Sequence, residues 1–566
     1  MRTHRLIPII LIILLPACDG DGIGGSNDGP WIQETAVLDV SDSSIDIVAH
    51  IDDGDIAYEY LEATVTDLER DLGLEMEVQG TTLVDVRVSL ERAGNNSYNI
   101  QFELEFVAPE WLGLGNHSDS LKIYVCSGST KCAGALTQIN GSPFTVDINY
   151  EVVGEPAVYH VTPYVGKPGT PREVSIRGVG FSLLGTPSVK FGTADAVSME
   201  VVNDREITAE YPALTAGEYT VSVYDNGVPI ATEAKLVLTD EPDFSYAFIT
   251  RDSIKTKIIY DAERKALLVL TPHTDTMERY VYSSGAWNYT VSNPVNDIQD
   301  FALTPDGRNL MVTSTYQHQD NDGLQIFDPA TLNLVSMVTY PAWMDPEQSF
   351  ISVAAAGDGR ALLRPAGNGN QGPDTYLFSY RTGMFLAIPG TNWDAQVMGV
   401  SGDGRYIISR GDPELMYDAR TGQIQTIDIF DNDETGIRAL TTDYDGDTVV
   451  IGGGGGIHVY QSGVKTGTIT PQTYIHEEHN AFAVSADGSR LYVVDYLEDD
   501  VNSADRLRIF DLTSPDGSGG FSLVASSTLG FVNMMHGRLA PVIAIGPEEK
   551  TLFIASEEGV LIYPIP

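Results

Sequence analysis

The C-terminal part of the chain repeats itself, and that repeat constrains the fold more than any other feature. Short turns built around Asp-Gly recur at Pro305-Asp306-Gly307-Arg308, Gly357-Asp358-Gly359-Arg360, Gly402-Asp403-Gly404-Arg405, Tyr444-Asp445-Gly446-Asp447 and Ala486-Asp487-Gly488-Ser489. Degenerate copies stand at Asp261-Ala262-Glu263-Arg264 and Pro547-Glu548-Glu549-Lys550. Four residues beyond the second position of each turn lies an apolar residue: Ala266, Leu310, Leu362, Ile407, Val449, Leu491 and Leu552. Asp-Gly at a fixed offset between apolar runs is a hairpin signal, because glycine enters the positive-φ region without steric cost. A period of about 40–50 residues with about four short strands per period predicts β-propeller blades. Seven units fit residues 244–566, and the absence of a helical period excludes an α-solenoid. The last unit, Val542 to Tyr563, is one strand short. Ser245 to Thr250 is placed to supply it and so remove an unpaired edge.

Two further regions read as β-sandwiches, giving an all-β chain. Residues 31–153 show period-two alternation at Ile45–Ile51, Leu83–Val88, Tyr98–Leu104, Leu121–Val125 and Phe144–Ile148, which predicts an immunoglobulin-like sandwich. Residues 155–240 hold short strands between glycine turns, including Gly178-Val179-Gly180-Phe181, Val189-Lys190-Phe191-Gly192 and Gly217-Glu218-Tyr219-Thr220-Val221. These pieces, in this order, resemble the IPT/TIG family of immunoglobulin-like domains. That resemblance implies a spacer, a protein-contact module or a sugar-binding platform.

The N-terminus predicts export. Met1-Arg2-Thr3-His4-Arg5 is basic, and Leu6 to Leu15 is apolar apart from Pro8. Ten residues of helix reach about 15 Å, half of a hydrocarbon core of roughly 30 Å, so residues 1–17 read as a secretion signal rather than a membrane span. The segment ends Leu15-Pro16-Ala17-Cys18, which resembles the lipobox of bacterial lipoproteins. The resemblance implies cleavage before Cys18, acylation of that cysteine, and residence in the bacterial cell envelope on a lipid anchor. After Cys18, residues 19–30 are Gly, Asp, Ser and Asn with one Ile and a closing Pro, and residues 18–30 read as a flexible tether. Two cysteines remain, Cys126 and Cys132. In an exported chain a disulfide is the default for such a pair, with free thiols the alternative.

Charge narrows the partners. With 33 Lys and Arg against 79 Asp and Glu, the net charge is −46, which repels nucleic acid and anionic headgroups at long range and attracts cations.

Propeller sites commonly lie at one mouth of the channel, so the residues preceding each innermost strand are the candidates. They are Asn296, Asp297 and Asp300; Asp345 and Glu347; Trp393 and Asp394; Asp431, Asp433 and Glu434; His476, Glu477, Glu478 and His479; and His536 and Arg538. Carboxylates from several loops suit Ca²⁺, which takes oxygen ligands. A solvated rim in an acidic protein gives the same pattern. The propeller is similar to the YVTN-type group. The blade containing His476, His479 and Asp495 is similar to that group's lactonase branch, which implies a divalent metal and a water-activating hydrolase. The other blades lack matching histidines, and no residue is assigned a catalytic role. Architecture favours binding or scaffolding without turnover, with an envelope protein or glycan as partner.

Overall fold

A computed structural model describes residues 36–565 other than 54–56, 69–71, 81, 95, 128–131, 133–137, 252, 316–323, 339–349, 366–374, 389–391, 413, 428–438, 454–455, 470–480, 496–504, 516–519, 531–541 and 557. The chain forms two compact units that divide between Glu155 and Pro156. Among the described residues no helix is long and apolar enough to cross a membrane.

The first unit is a sandwich of two four-stranded sheets. One runs Val37–Val40, Tyr58–Thr66, Tyr98–Phe106, Leu83–Arg92. The other runs Ser44–His50, Phe144–Val153, Gly115–Ser127, Leu72–Gln79. Alternation decides which face is buried: Ile100, Phe102, Leu104 and Phe106 are buried from one sheet, and Leu121, Ile123 and Val125 from the other. Cys126 and Cys132 form a disulfide with a Cα–Cα distance of 5.4 Å.

The second unit holds a smaller sandwich and the propeller. The sandwich pairs a sheet containing Arg172–Val179, Glu206–Tyr211 and Ala157–Thr162 with one containing Gly217–Asp225, Pro187–Phe191 and Lys235–Leu238. Val174, Ile176, Phe181, Phe191, Ile207 and Val221 fill the space between them. Gly178 has to be glycine because a Cβ there would sit 2.1 Å from the Ala157 carbonyl oxygen and 2.4 Å from the Phe181 ring. The motif thus marks a point of close approach.

The propeller has seven four-stranded sheets among the described residues, with innermost strands Lys257–Asp261, Ile298–Leu303, Phe350–Ala355, Asn392–Val400, Ala439–Thr442, Phe482–Val484 and Ile543–Ile545. The innermost strand of the seventh sheet packs on that of the first. The seventh sheet takes its outer strand, Ala247–Thr250, from the N-terminal end of the propeller, pairing antiparallel with Gly559–Pro564. Phe244, three residues before that strand, stacks on Trp287 of the first blade and meets Phe553 of the seventh edge-on, at 5.2 and 5.4 Å. The ring is therefore clasped by backbone hydrogen bonds and by an aromatic cluster.

Three of the five Asp-Gly turns share one construction. A hydroxyl two residues before the aspartate donates to its carboxylate, from Thr304 to Asp306, Ser401 to Asp403 and Ser485 to Asp487, at 2.6, 2.6 and 2.7 Å. The same carboxylates accept the amides of Arg308, Arg405 and Ser489. The glycines that follow have φ between 68° and 90°. Neighbouring turns are stitched together by Gly357 N to Gly404 O, Gly402 N to Asp443 O, Asp403 N to Tyr444 O and Tyr444 N to Ala486 O, at 2.7–3.1 Å. The turns of blades three to six are thereby joined into a continuous platform at one end of the propeller.

Candidate functional site

The second sandwich sits on that platform and closes the channel at this end. It reaches blades one to five and blade seven. At blade one, Lys235 pairs with Glu263 at 2.6 Å. At blade two, His160 Nδ1 lies 3.0 Å from Asp306 Oδ2, and Glu233 pairs with Arg308 at 2.7 Å. At blade three, the Arg381 guanidinium lies 4.5 Å from the Tyr159 ring centre. At blade four, Glu206 meets Arg420 at 2.6 Å and Asn203 donates to the Arg420 carbonyl. At blade five, Arg172 lies over Tyr444 at 4.4 Å. At blade seven, Lys167 pairs with Glu548 at 2.8 Å, and the amides of Glu241 and Glu548 each donate to the other's carboxylate.

The joint buries charge. Glu206 is fully buried and pairs with Arg177 of its own domain as well as Arg420 of the propeller. A carboxylate in that position is tolerated only because two guanidiniums and the Ser175 hydroxyl surround it. Burial alone would raise the Asp306 carboxyl. The hydrogen bond and charge of His160, with the Thr304 hydroxyl and the Arg308 amide, hold it well below the usual carboxylate range instead. Glu548 is held down to about 2: burial opposes this, and Lys167 and Lys550 outweigh it.

Above the joint the channel contains a cavity of about 440 Å³. Its floor is Thr162 to Val165 of the second sandwich, and its walls come from the innermost strands of blades one to five, among them Ile259, Leu303, Ala354, Met398, Val400 and Thr441. Asp300, expected on a solvated rim, is instead buried in the channel wall. Its carboxylate accepts Lys257 Nζ at 2.7 Å, the Ser352 hydroxyl at 2.8 Å and the amides of Phe301 and Val353. Asp297 stays near the opposite mouth and accepts from Thr315.

The remaining candidates mostly lie outside the described residues: Cys18, Asp345, Glu347, Asp431, Asp433, Glu434, His476, Glu477, Glu478, His479, His536 and Arg538. Trp393, Asp394 and Asp495 belong to described strands, Asn392–Val400 and Arg490–Asp495, but their side chains are outside the description. Among the described residues no group of three His, Cys, Asp or Glu is placed to hold a metal. The joint itself had no sequence signal: Arg177 and Glu206 occupy positions that alternation gives to the polar face, opposite Val174 and Ile176 in one strand and Ile207, Ala209 and Tyr211 in the other.

A family model described as the IPT/TIG domain matches residues 156–246. No curated protein matches the chain. Among solved structures, the chain is similar to the Cps50 (Swd1) β-propeller domain of Myceliophteria thermophila, at 13% identity and a TM-score of 0.40, over 57% of this chain and 100% of that one. It is likewise similar to the hydrazine synthase of Kuenenia stuttgartiensis, at 12% identity and a TM-score of 0.40, over 56% and 98%. The second sandwich is therefore an IPT/TIG domain, and it forms the cap of the propeller.

Proposed function

We propose that this is a lipid-anchored protein of the bacterial cell envelope, held through Cys18, that presents its propeller to an envelope protein or glycan and binds without turnover. The observation that carries the reading is the cap. A propeller whose turn face is occupied by its own IPT/TIG domain has the opposite mouth left for a partner. The order of basic residues, apolar stretch and Leu15-Pro16-Ala17-Cys18 supports the anchor. The net charge of −46 disfavours nucleic acid as partner. Photocrosslinking in intact cells tests the binding mouth. Benzoylphenylalanine at position 394 is expected to give a discrete adduct, and at position 308, on the capped face, none. Equal labelling at both positions contradicts the proposal. Palmitate labelling lost on Cys18→Ala is the expected result for the anchor.

A further inference from the structure

The channel cavity has a chemistry of its own, apart from what the rim recognises. Its walls are mainly apolar: Leu303, Val353, Ala354, Met398, Val400 and Leu440 line it. The charged pair in the wall is already satisfied. Lys257 is neutralised by Asp300, and each Asp300 oxygen accepts two hydrogen bonds. Thr304 and Ser401 spend their hydroxyls on the turn carboxylates of Asp306 and Asp403. Thr162 and Thr441 also line the cavity, and the Thr162 hydroxyl is buried without a hydrogen-bond partner among the described residues. A cavity of about 440 Å³ falls within the roughly 300–1,000 Å³ of small-molecule sites, which are mostly apolar with a few placed polar groups. No uncompensated charge is present to hold an ion against its desolvation.

We infer that the channel above the IPT/TIG cap is a binding site for a compact, uncharged, predominantly hydrocarbon molecule carrying at most two hydrogen-bonding groups, which Thr162 and Thr441 would meet. The inference rests on the reading of the propeller as a binding module and adds a second ligand class to it. Because the cap forms the floor, the molecule enters from the other mouth. Ala354 lines the cavity and stands outside the core cluster of its blade, so enlarging it fills the channel rather than the core. Val400, on the next blade, offers an independent position.

The test is a fluorescence titration with N-phenyl-1-naphthylamine. It uses the full chain carrying Cys18→Ala, so that no acyl group competes for the probe. The expected result is one saturable site whose affinity falls at least tenfold with Ala354→Trp and with Val400→Phe. Val335→Trp, on an exposed outer strand, should leave it unchanged. Absence of saturable binding overturns the inference. So does undiminished affinity in both cavity variants when their far-ultraviolet circular dichroism matches the parent. Should either variant misfold, an azide derivative of the probe replaces it in the Cys18→Ala chain. Photolabel on residues 398–401 supports the site, and label confined to outer strands overturns it. Crosslinking from position 394 in the Ala354→Trp background separates the two proposals. Loss of the partner adduct with probe binding intact in the parent faults the rim alone, and the reverse faults the cavity alone.

Discussion

The two sandwiches are built alike and differ in where they keep their charges. In the N-terminal sandwich, ion pairs stand at the surface: Arg87, 58% exposed, reaches Glu103 and Glu105 at 3.8 and 3.3 Å. In the IPT/TIG domain, Arg177 is 2% and Glu206 0% exposed, and their network is completed by Arg420 of the propeller. Exposed pairs contribute little because water and salt screen them, whereas a buried charge is tolerable only with its partners present. The difference teaches that a sandwich burying an ion pair on its flank has been built around a neighbour.

The largest effect is expected from removing the centre of that network. Glu206→Ala leaves the buried Arg177 guanidinium uncompensated beside the part-exposed Arg420 and should cost about 3–5 kcal/mol, read by denaturant unfolding of the second unit. A cost below about 1 kcal/mol would put the pair in the same class as Arg87 and remove the distinction.

The next concerns the His160–Asp306 contact. His160→Ala should cost about 1.5–3 kcal/mol, as a hydrogen bond to a charged group does. It should also change the acid response. The Asp306 carboxyl is depressed in the fold, so its contribution is present above the unfolded value of about 3.9 and is lost as pH falls below it. Thermal melts between pH 5 and 2 should show a steep loss in the parent and a shallower one in Asp306→Asn.

Asp443 behaves in the opposite sense. Burial raises its carboxyl to about 6, against the Thr448 hydrogen bonds that pull it down, and its Oδ1 is buried without a partner. A raised carboxyl favours folding when protonated, and that advantage is lost as pH rises through 6. Asp443→Asn should therefore stabilise the protein by about 1–3 kcal/mol at pH 7.5 and by almost nothing at pH 4. Equal effects at both pH values would contradict this. The smallest change belongs to the first sandwich: Arg87→Ala should cost no more than about 1 kcal/mol.

What was legible in the sequence follows the same division between local and distant causes. The blades could be read because each turn is closed within itself, as where Thr304, Asp306 and Arg308 satisfy one another within five residues. The strand from Ser245 to Thr250 could be read because the last blade was visibly one strand short. The joint could not. His160 and Asp306 are 146 residues apart, and each looks ordinary in its own neighbourhood, one on an apolar strand and the other in a repeat turn. Asp300 was read as rim because it stands among acidic residues before a strand. Its partners Lys257 and Ser352 come from the adjacent blades on either side, which only the closed ring brings together.

Differential scanning calorimetry of the full chain tests most directly whether the IPT/TIG domain is part of the propeller. An integral cap predicts two transitions, one for the sandwich ending at Glu155 and one for residues 156–566 melting together, with Glu206→Ala lowering only the second. Three transitions in the parent chain, with the IPT/TIG domain melting on its own and Glu206→Ala leaving the propeller's midpoint unmoved, would contradict it.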